Sequence, residues 1–584
     1  MAHSAARPSG LSSARRVLAS SCGRALRASA PSIIIAALLL AVQATLDTIS
    51  PLMLQRIIDR LTQNPTTAGI LLPGLLAAGA AVASTVVSVA SQRMTAFTGQ
   101  RFQERLRILM LNKLTRLSSS TVSAAPGGSL LSRITNDTAQ AQTFVSTILP
   151  QALGLIARLG ILLSIMWTRS FTITLVVLAL ALILALPTER ASRTLSATTD
   201  RMLDAMSVFS GTVVERVGVT GHLFSRTAAD IPTDRRRAEE SAAGVRASYT
   251  RMITLDSAFS SSLDLVGALG TVAVLIIGGY SVVQGDMTPG ELAALAALTP
   301  QLYGPLQAAS GVRTGLATSW SALSRVSDFL ESKEEWYEAP PAPVDVPNGG
   351  ALLVRETDYS VSAGTSSTVL LDSVSLTARC GEIVAIVGPS GSGKSTLLSL
   401  IAGANHPSQG SITVAGFSPV ITGTEAWNSI VQYCPQEPFF RNGTLKENFE
   451  AVCPGISEAR IHELCSRVGL DLSRLGDRSG TSTMLGERGA RISGGERARL
   501  AIARTLALSP RVLLLDEPTA ALDDESTDRL IATLLDLKRD HCILVTTHDA
   551  RLFAATDRAY RMEFGRLREV PTPTLARVEK GVPA

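Results

Sequence analysis

The stretch IVGPSGSGKSTLLSL, residues 386–400, holds Gly388–Ser395 in the spacing G-x-x-x-x-G-K-[ST]. The apolar run EIVAIV leads into it and helix-forming residues follow, so it reads as strand, loop and helix. In that setting glycines let backbone N–H groups curl around phosphates, and the helix turns its positive end towards them. Lys394 can reach the outer phosphates, and the Ser395 hydroxyl can ligate Mg²⁺. Gly388, Pro389, Ser390, Gly391, Ser392, Gly393 and Thr396 complete the cradle. A chance glycine-rich turn would match the spacing but not this flanking pattern.

Downstream, RVLLLDEPTAALDDE is an apolar strand ending in Asp516 and Glu517. Seen alone, paired acids at a strand end read as a solvated turn. Behind a phosphate loop they read as chemistry: one acid can hold the metal through water while its neighbour orients or deprotonates the attacking water.

Upstream the chain changes character. At 584 residues it is too long for one compact core, and its 46% apolar residues crowd the region before about residue 315. Six segments approach the ~20 apolar residues that a membrane-crossing helix needs: about 29–50, 69–91, 144–167, 170–187, 258–282 and 290–312. Runs such as SIIIAALLLAV and LVVLALALILAL leave no polar face for water, which argues against a soluble bundle.

The loops set the orientation, because positive residues stay on the cytosolic side. Arg93, Arg101, Arg105, Arg107, Lys113, Arg116 and Arg133 lie between spans two and three. Ten arginines from Arg190 to Arg251 lie between spans four and five. The opposite loops carry chiefly Arg56, Arg60 and Arg169. Both termini and the nucleotide domain are therefore expected in the cytosol. RFQERLRILMLNKLTRL keeps helical apolar spacing, so the long loops read as helices continuing out of the membrane.

The net charge of +5 is small for this length and is accounted for by the loop arginines, so no nucleic-acid partner is expected. RRR at 235–237, followed by Glu239 and Glu240, reads as a solvated helix face. The six cysteines include no C-x-x-C pair, and His222, His406, His462 and His541 lack metal spacing, so neither a disulfide frame nor a zinc site is indicated. Asp47, Arg158 and Asp264 fall at membrane depth, either along a polar substrate path or as a structural pair or near-headgroup position.

An ordered set of motifs resembles the ABC transporter superfamily. YCPQEP supplies Gln436, similar to the glutamine that contacts Mg²⁺ and senses the γ-phosphate. RISGGERARLAIARTLAL looks like the family signature, with Ser493, Gly494, Gly495 and Glu496 at its core; AALDD supplies Asp523, and LVTTHDA supplies His548. The resemblance implies ATP and Mg²⁺ as ligands, with Ser395, Gln436 and Asp516 at the metal. Glu517 would be the catalytic carboxylate, and His548 would hold the γ-phosphate. GGSLLSRITNDTAQ (127–140) and the segment from Gly278 to Leu306 are similar to the exporter branch. Glu496 stands where glutamine is commoner, and Ile492 where leucine is. The usual register of the adenine-stacking aromatic falls on Val361, so either Tyr359 takes that place by a local shift or base stacking is weak.

The expectation is a multidomain membrane protein: an all-α six-helix transmembrane domain, then an α/β P-loop ATPase domain with a helical subdomain. Its divisions are a cytosolic tail (1–28), the membrane domain (29–331), a proline-rich linker (332–350), the nucleotide domain (351–570) and a disordered tail (571–584). One signature and one phosphate loop imply a second half-transporter, with a homodimer favoured and a heterodimer possible. The function this implies is ATP-driven export of a small molecule, lipid or peptide across the bacterial cytoplasmic membrane. Import of a chelated metal or similar cargo is the alternative, and a soluble ATPase is disfavoured by the apolar segments.

Overall fold

The computed structural model describes residues 20–63, 67–118, 121–122, 127–217, 224, 226–227, 231–332, 334, 351–363, 366–477, 479–520 and 522–571. Most of the expected N-terminal tail, nearly all of the linker and all but one residue of the C-terminal tail lie outside these. The chain divides into two units, one over 1–112 and 130–331, the other over 113–129 and 332–584.

The first unit is helical. Its long helices are α1 (Ser21–Gln63), α2 (Thr67–Leu114, whose last two residues fall in the second unit), α3 (Leu149–Arg169), α4 (Phe171–Val217), α5 (Ile231–Gln284) and α6 (Pro289–Leu330). Each of the six apolar segments falls on helical backbone. Helix α1 starts at Ser21, so the last residues of the expected tail, 21–28, are already its first turns. Among the described residues, four helical stretches are long and apolar enough to cross a membrane: Ser21–Gln63, Gly69–Leu114, Leu130–Arg169 and Ile231–Gln284. In α4 the described apolar stretch is the shorter Phe171–Leu180. Large apolar side chains point outward, Ile34, Leu38, Leu72, Val82, Val86 and Ile276 each being more than half exposed, as suits lipid rather than water. At 1.5 Å per residue the 54 residues of α5 run roughly 81 Å, far more than the ~30 Å of a hydrocarbon core.

Local chemistry fixes both ends of α6. At its start Thr288 accepts from the Glu291 amide at 3.1 Å, and Glu291 accepts from the Thr288 amide at 3.0 Å, a reciprocal capping box with Pro289 in the first turn. Asp59 of α1 accepts a further bond from the Gly290 amide at 3.0 Å. Near its other end, α6 runs antiparallel to the segment 137–148. Asp137 faces Arg325, Phe144 meets the Trp320 ring edge-on at 6.1 Å, and Ile148 fills the space that a side chain at Gly315 would need. The buried residues of that segment, Asp137, Thr138, Ala141, Phe144, Val145 and Ile148, form one helical stripe. Two π turns, Arg133–Asp137 and Phe144–Ile148, adjust its register. Between its fixed ends α6 carries two internal prolines, Pro300 and Pro305.

Arg325 grips Asp137 with two parallel bonds, 3.0 and 2.7 Å, and Asp137 is almost wholly buried. Asp137→Ala is expected to cost about 1–2 kcal/mol, seen as a lower melting temperature of the purified protein, with Asp137→Asn losing less. An unchanged Tm would mean that this pair contributes nothing to stability.

The second unit is α/β. Its main sheet has strand order β5-β6-β7-β3-β8-β9, from β3 (Ile383–Val387), β5 (Val431–Cys434), β6 (Val512–Asp516), β7 (Cys542–Thr546), β8 (Arg558–Glu563) and β9 (Arg566–Val570). All pairings are parallel except β8 with β9. Every residue of β6 and β7 is buried, which is why both read as unbroken apolar runs. A smaller antiparallel sheet, β2-β1-β4, comprises β1 (Leu352–Ala363), β2 (Ser366–Ala378) and β4 (Gln409–Val414). Helix α7 (Lys394–Ile401) follows β3. Helices α8 (Glu458–Arg467) and α9 (Gly494–Thr505) share a core through Leu464, Cys465, Leu500 and Ala503, and α10 (Asp524–Leu537) follows β6. Cys434, Cys465 and Cys542 are core residues, and burial pushes each thiol up to about 12.

Candidate functional site

In a parallel sheet the strands deliver their chemistry at their carboxyl ends, and four such ends carry the expected residues here. The first is the turn from β3 into α7. Gly388 sits at φ +156°, where a side chain would collide with the Met562 carbonyl of neighbouring β8. Gly393, at φ +109°, would put a β-carbon 2.9 Å from Leu371. The loop is thus held against β2 and β8 by a shape that only glycine permits. Lys394 is buried and donates to the Gly388 and Pro389 carbonyls at 2.8 and 3.1 Å, tying the two ends of the loop together. The Ser392 hydroxyl is buried without a partner among the described residues. A buried hydroxyl needs a hydrogen bond, and a phosphate oxygen is the partner this loop is shaped to bring.

The second is the end of β6. Asp516 is buried; its Oδ1 accepts from Thr546 Oγ1 at 2.6 Å and its Oδ2 from the Tyr433 phenol at 3.0 Å. Burial, and then the Asp516 charge, push the Tyr433 phenol well above its usual range, so it stays a donor at neutral pH. Glu517 follows at φ +47°, an uncommon conformation for a residue with a side chain. Its amide is held by the Thr546 hydroxyl at 2.9 Å and the Thr546 carbonyl at 3.2 Å.

That twist turns the Glu517 carboxylate towards the third and fourth strand ends. Gln436, beyond β5, donates from Nε2 to Glu517 Oε2 at 2.9 Å. His548, beyond β7, lies with Nε2 3.3 Å from Glu517 Oε1. Three residues picked from separate motifs thus meet at one carboxylate.

The signature residues occupy another element, the start of α9. Ser493 caps that helix by accepting from the Glu496 amide at 3.2 Å, while Glu496 accepts from the Ser493 amide at 2.8 Å. Glutamate in place of the commoner glutamine therefore completes a capping box. Gly494 opens the helix, and a side chain at Gly495 would lie 3.3 Å from Leu522. Asp523 caps α10 through the Ser526 amide at 2.9 Å, and the Ser526 hydrogen bonds hold its carboxyl below the usual range. Arg499 of α9 reaches the Ser526 hydroxyl at 3.1 Å, joining the two helix starts.

Tyr359 requires a correction. It was expected against adenine, but it is only 6% exposed and packs in the core with Leu371, opposite it on β2, together with Leu376 and Ile386. Its side chain is spent on that core, and the β1–β2 register is irregular on both sides of it. Val361, two residues along the same strand face, sits at the rim of the same cluster. Tyr433 and Thr546 were missed. Their only signal was a polar side chain at the end of an apolar strand, close to Gln436 and His548 in sequence.

Residues 371–520 match the ABC transporter family and residues 33–306 the ABC transporter transmembrane region. A multidrug resistance ABC transporter ATP-binding and permease protein of Lactococcus lactis subsp. lactis is 26% identical over 83% of this chain and 81% of its own. The mycobactin import ATP-binding/permease protein IrtB of Mycobacterium tuberculosis is 32% identical over 53% of this chain and 52% of its own. The structure of a bacterial Atm1-family ABC exporter with ATP bound superposes with a TM-score of 0.78 at 20% identity, covering 94% of this chain and 96% of that one, a likeness of fold.

Proposed function

This chain belongs to the ABC transporters, as an exporter-type half-transporter with its own ATPase domain, and from that premise we propose that two copies export a small molecule, lipid or peptide across a bacterial cytoplasmic membrane. The observation that carries the reading is the Glu517 carboxylate held between Gln436 and His548, at the strands' carboxyl ends, where the phosphate loop also lies.

In this reading Gly388–Thr396 hold the ATP phosphates, with Lys394 and the free Ser392 hydroxyl on their oxygens. Ser395, Gln436 and Asp516 would hold Mg²⁺, which when bound supplies positive charge against those oxygens. Glu517 orients a water and accepts its proton, and His548 steadies the outer phosphate. Ser493, Gly494, Gly495, Glu496 and Asp523 close over the nucleotide of the second copy, so neither copy completes a site alone. A two-fold homodimer is the simplest assembly. Moving it from 1:99 to 99:1 in favour of the closed form takes ~5.5 kcal/mol of differential ATP affinity. Hydrolysis then resets the cycle.

Direction is tested with inverted membrane vesicles, where the ATPase domains face the medium. Added ATP is expected to drive cargo inward in these vesicles and not in right-side-out ones loaded with ATP. The opposite pattern would make the chain an importer.

Val361 is the residue that meets the adenine in this reading, with no ring to stack on it. Val361→Tyr is therefore expected to lower the ATP KM about tenfold, within the 1–3 kcal/mol of base-aromatic stacking, with little change in kcat. An unchanged KM would separate Val361 from the base.

A further inference from the structure

Between α1, α3 and α6 of the helical unit lies a mainly apolar cavity of about 710 Å³, within the ~300–1,000 Å³ typical of small-molecule sites. Two stripes at the same helical spacing line it: Leu40, Gln43, Ala44 and Asp47 from α1, and Gln151, Gly154, Leu155 and Arg158 from α3. Gly154 lets Leu40 approach closely, a built β-carbon there lying 3.0 Å from it. Helix α6 contributes its two prolines, Gln301 and several small residues.

Its charges are unequally satisfied. Asp47 Oδ1 accepts from Ser84 Oγ at 2.5 Å, and Oδ2 lies 3.8 Å from Arg158 Nη2, beyond hydrogen-bond reach. Arg158 has no other partner among the described residues, so its fork of N–H donors stays available at the cavity wall. On α6, Gln301 Oε1 is buried with nothing to accept from among the described residues. The Arg158–Asp47 ion pair at 3.8 Å leaves the guanidinium without a hydrogen bond among the described residues at membrane depth, where an ionisable side chain is costly and points to a functional site. Guanidinium geometry selects planar or tetrahedral oxyanions, which it can grip with two bonds.

We propose that this cavity binds an amphiphile with an apolar body, a carboxylate or phosphate head on Arg158, and an N–H or O–H donor for Gln301. The proposal rests on reading the chain as a transporter and names its cargo class. The same oxyanion-on-a-tail chemistry could come from a transported acid or from an anionic membrane lipid.

The test uses the full chain in phosphatidylcholine nanodiscs without nucleotide, with tritiated N-lauroylglycine as probe and protein-free discs subtracted. Saturable binding is expected, with the methyl ester at least about tenfold weaker and dodecyltrimethylammonium no competitor. Arg158→Gln should weaken the acid about tenfold and leave the ester unchanged, with Arg158→Lys between. Should Arg158→Gln not assemble, Gln301→Leu should weaken acid and ester alike, about three- to tenfold, through their shared amide N–H. Competition by added phosphatidylglycerol would identify a membrane lipid as the source, and its absence a transported acid; both support the site. No saturable binding, equal binding of acid and ester, or displacement by the cation as effective as by the acid would overturn it. ATPase activity of the same discs is read separately, so a failed ATPase and a failed acid site are distinguishable.

Discussion

Glu517→Gln is expected to reduce ATP hydrolysis by about 10²–10⁴-fold, the usual worth of a positioned general base, while ATP affinity changes by less than about twofold. The substitution is nearly isosteric, and Gln436 Nε2 can still donate to the remaining amide oxygen. What is lost is the carboxylate that would accept the proton of the attacking water, since the amide that replaces it is not a base. The variant should therefore load ATP, close and stay closed. Phosphate release from nanodiscs measures the first effect, and retention of labelled nucleotide after dilution measures the second. Hydrolysis at the normal rate would remove Glu517 from catalysis. Loss of ATP binding would show that its carboxylate holds the site together instead.

Lys394→Ala is expected to weaken ATP binding by about a hundredfold or more, since two or more charge-assisted bonds to phosphate are lost at once. The side chain has two tasks. It links the Gly388 and Pro389 carbonyls, and in the proposed reading it leaves them for the outer phosphates. Lys394→Ala removes the cation and loosens the loop. Lys394→Arg keeps the charge but must fit a larger group into a buried position. Both should fail to bind a fluorescent ATP analogue, while the far-UV spectrum and Tm stay close to the parent's. An alanine variant that binds ATP normally would mean that nucleotide is held elsewhere.

Motifs that depend on backbone shape were the most legible part of the sequence. The glycine spacing of 388–395 prescribes one loop, and the structure shows why: side chains at Gly388 and Gly393 would collide with Met562 and Leu371. The strand run ending in Asp516 was plain because parallel strands are buried on both faces. The six helices were legible from apolar runs alone, but their ends were not. Helix α1 begins before its apolar run, because helix propensity does not stop where hydropathy does. Tyr359 shows a second limit. Tyr359 and Val361 lie two residues apart on one strand face, so alternation alone does not say which of them the core takes. The holds of Tyr433 and Thr546 on Asp516 depend on strands that are neighbours in space and distant in sequence, so no local pattern announces them.

The prolines of α6 have a mechanical consequence. Each one removes a backbone hydrogen bond from the helix interior, at residues 300 and 305, where the helix borders the cavity. The same rod is clamped at its first turn by Thr288, Glu291 and Asp59, and near its last turns by Asp137, Phe144 and Ile148. A beam held stiffly at both ends and weakened in the middle bends at the weak point, whatever the source of the load. Strain imposed on either end of α6 is therefore focused on the wall of the cavity and becomes a change in its width, with little spent along the rest of the rod.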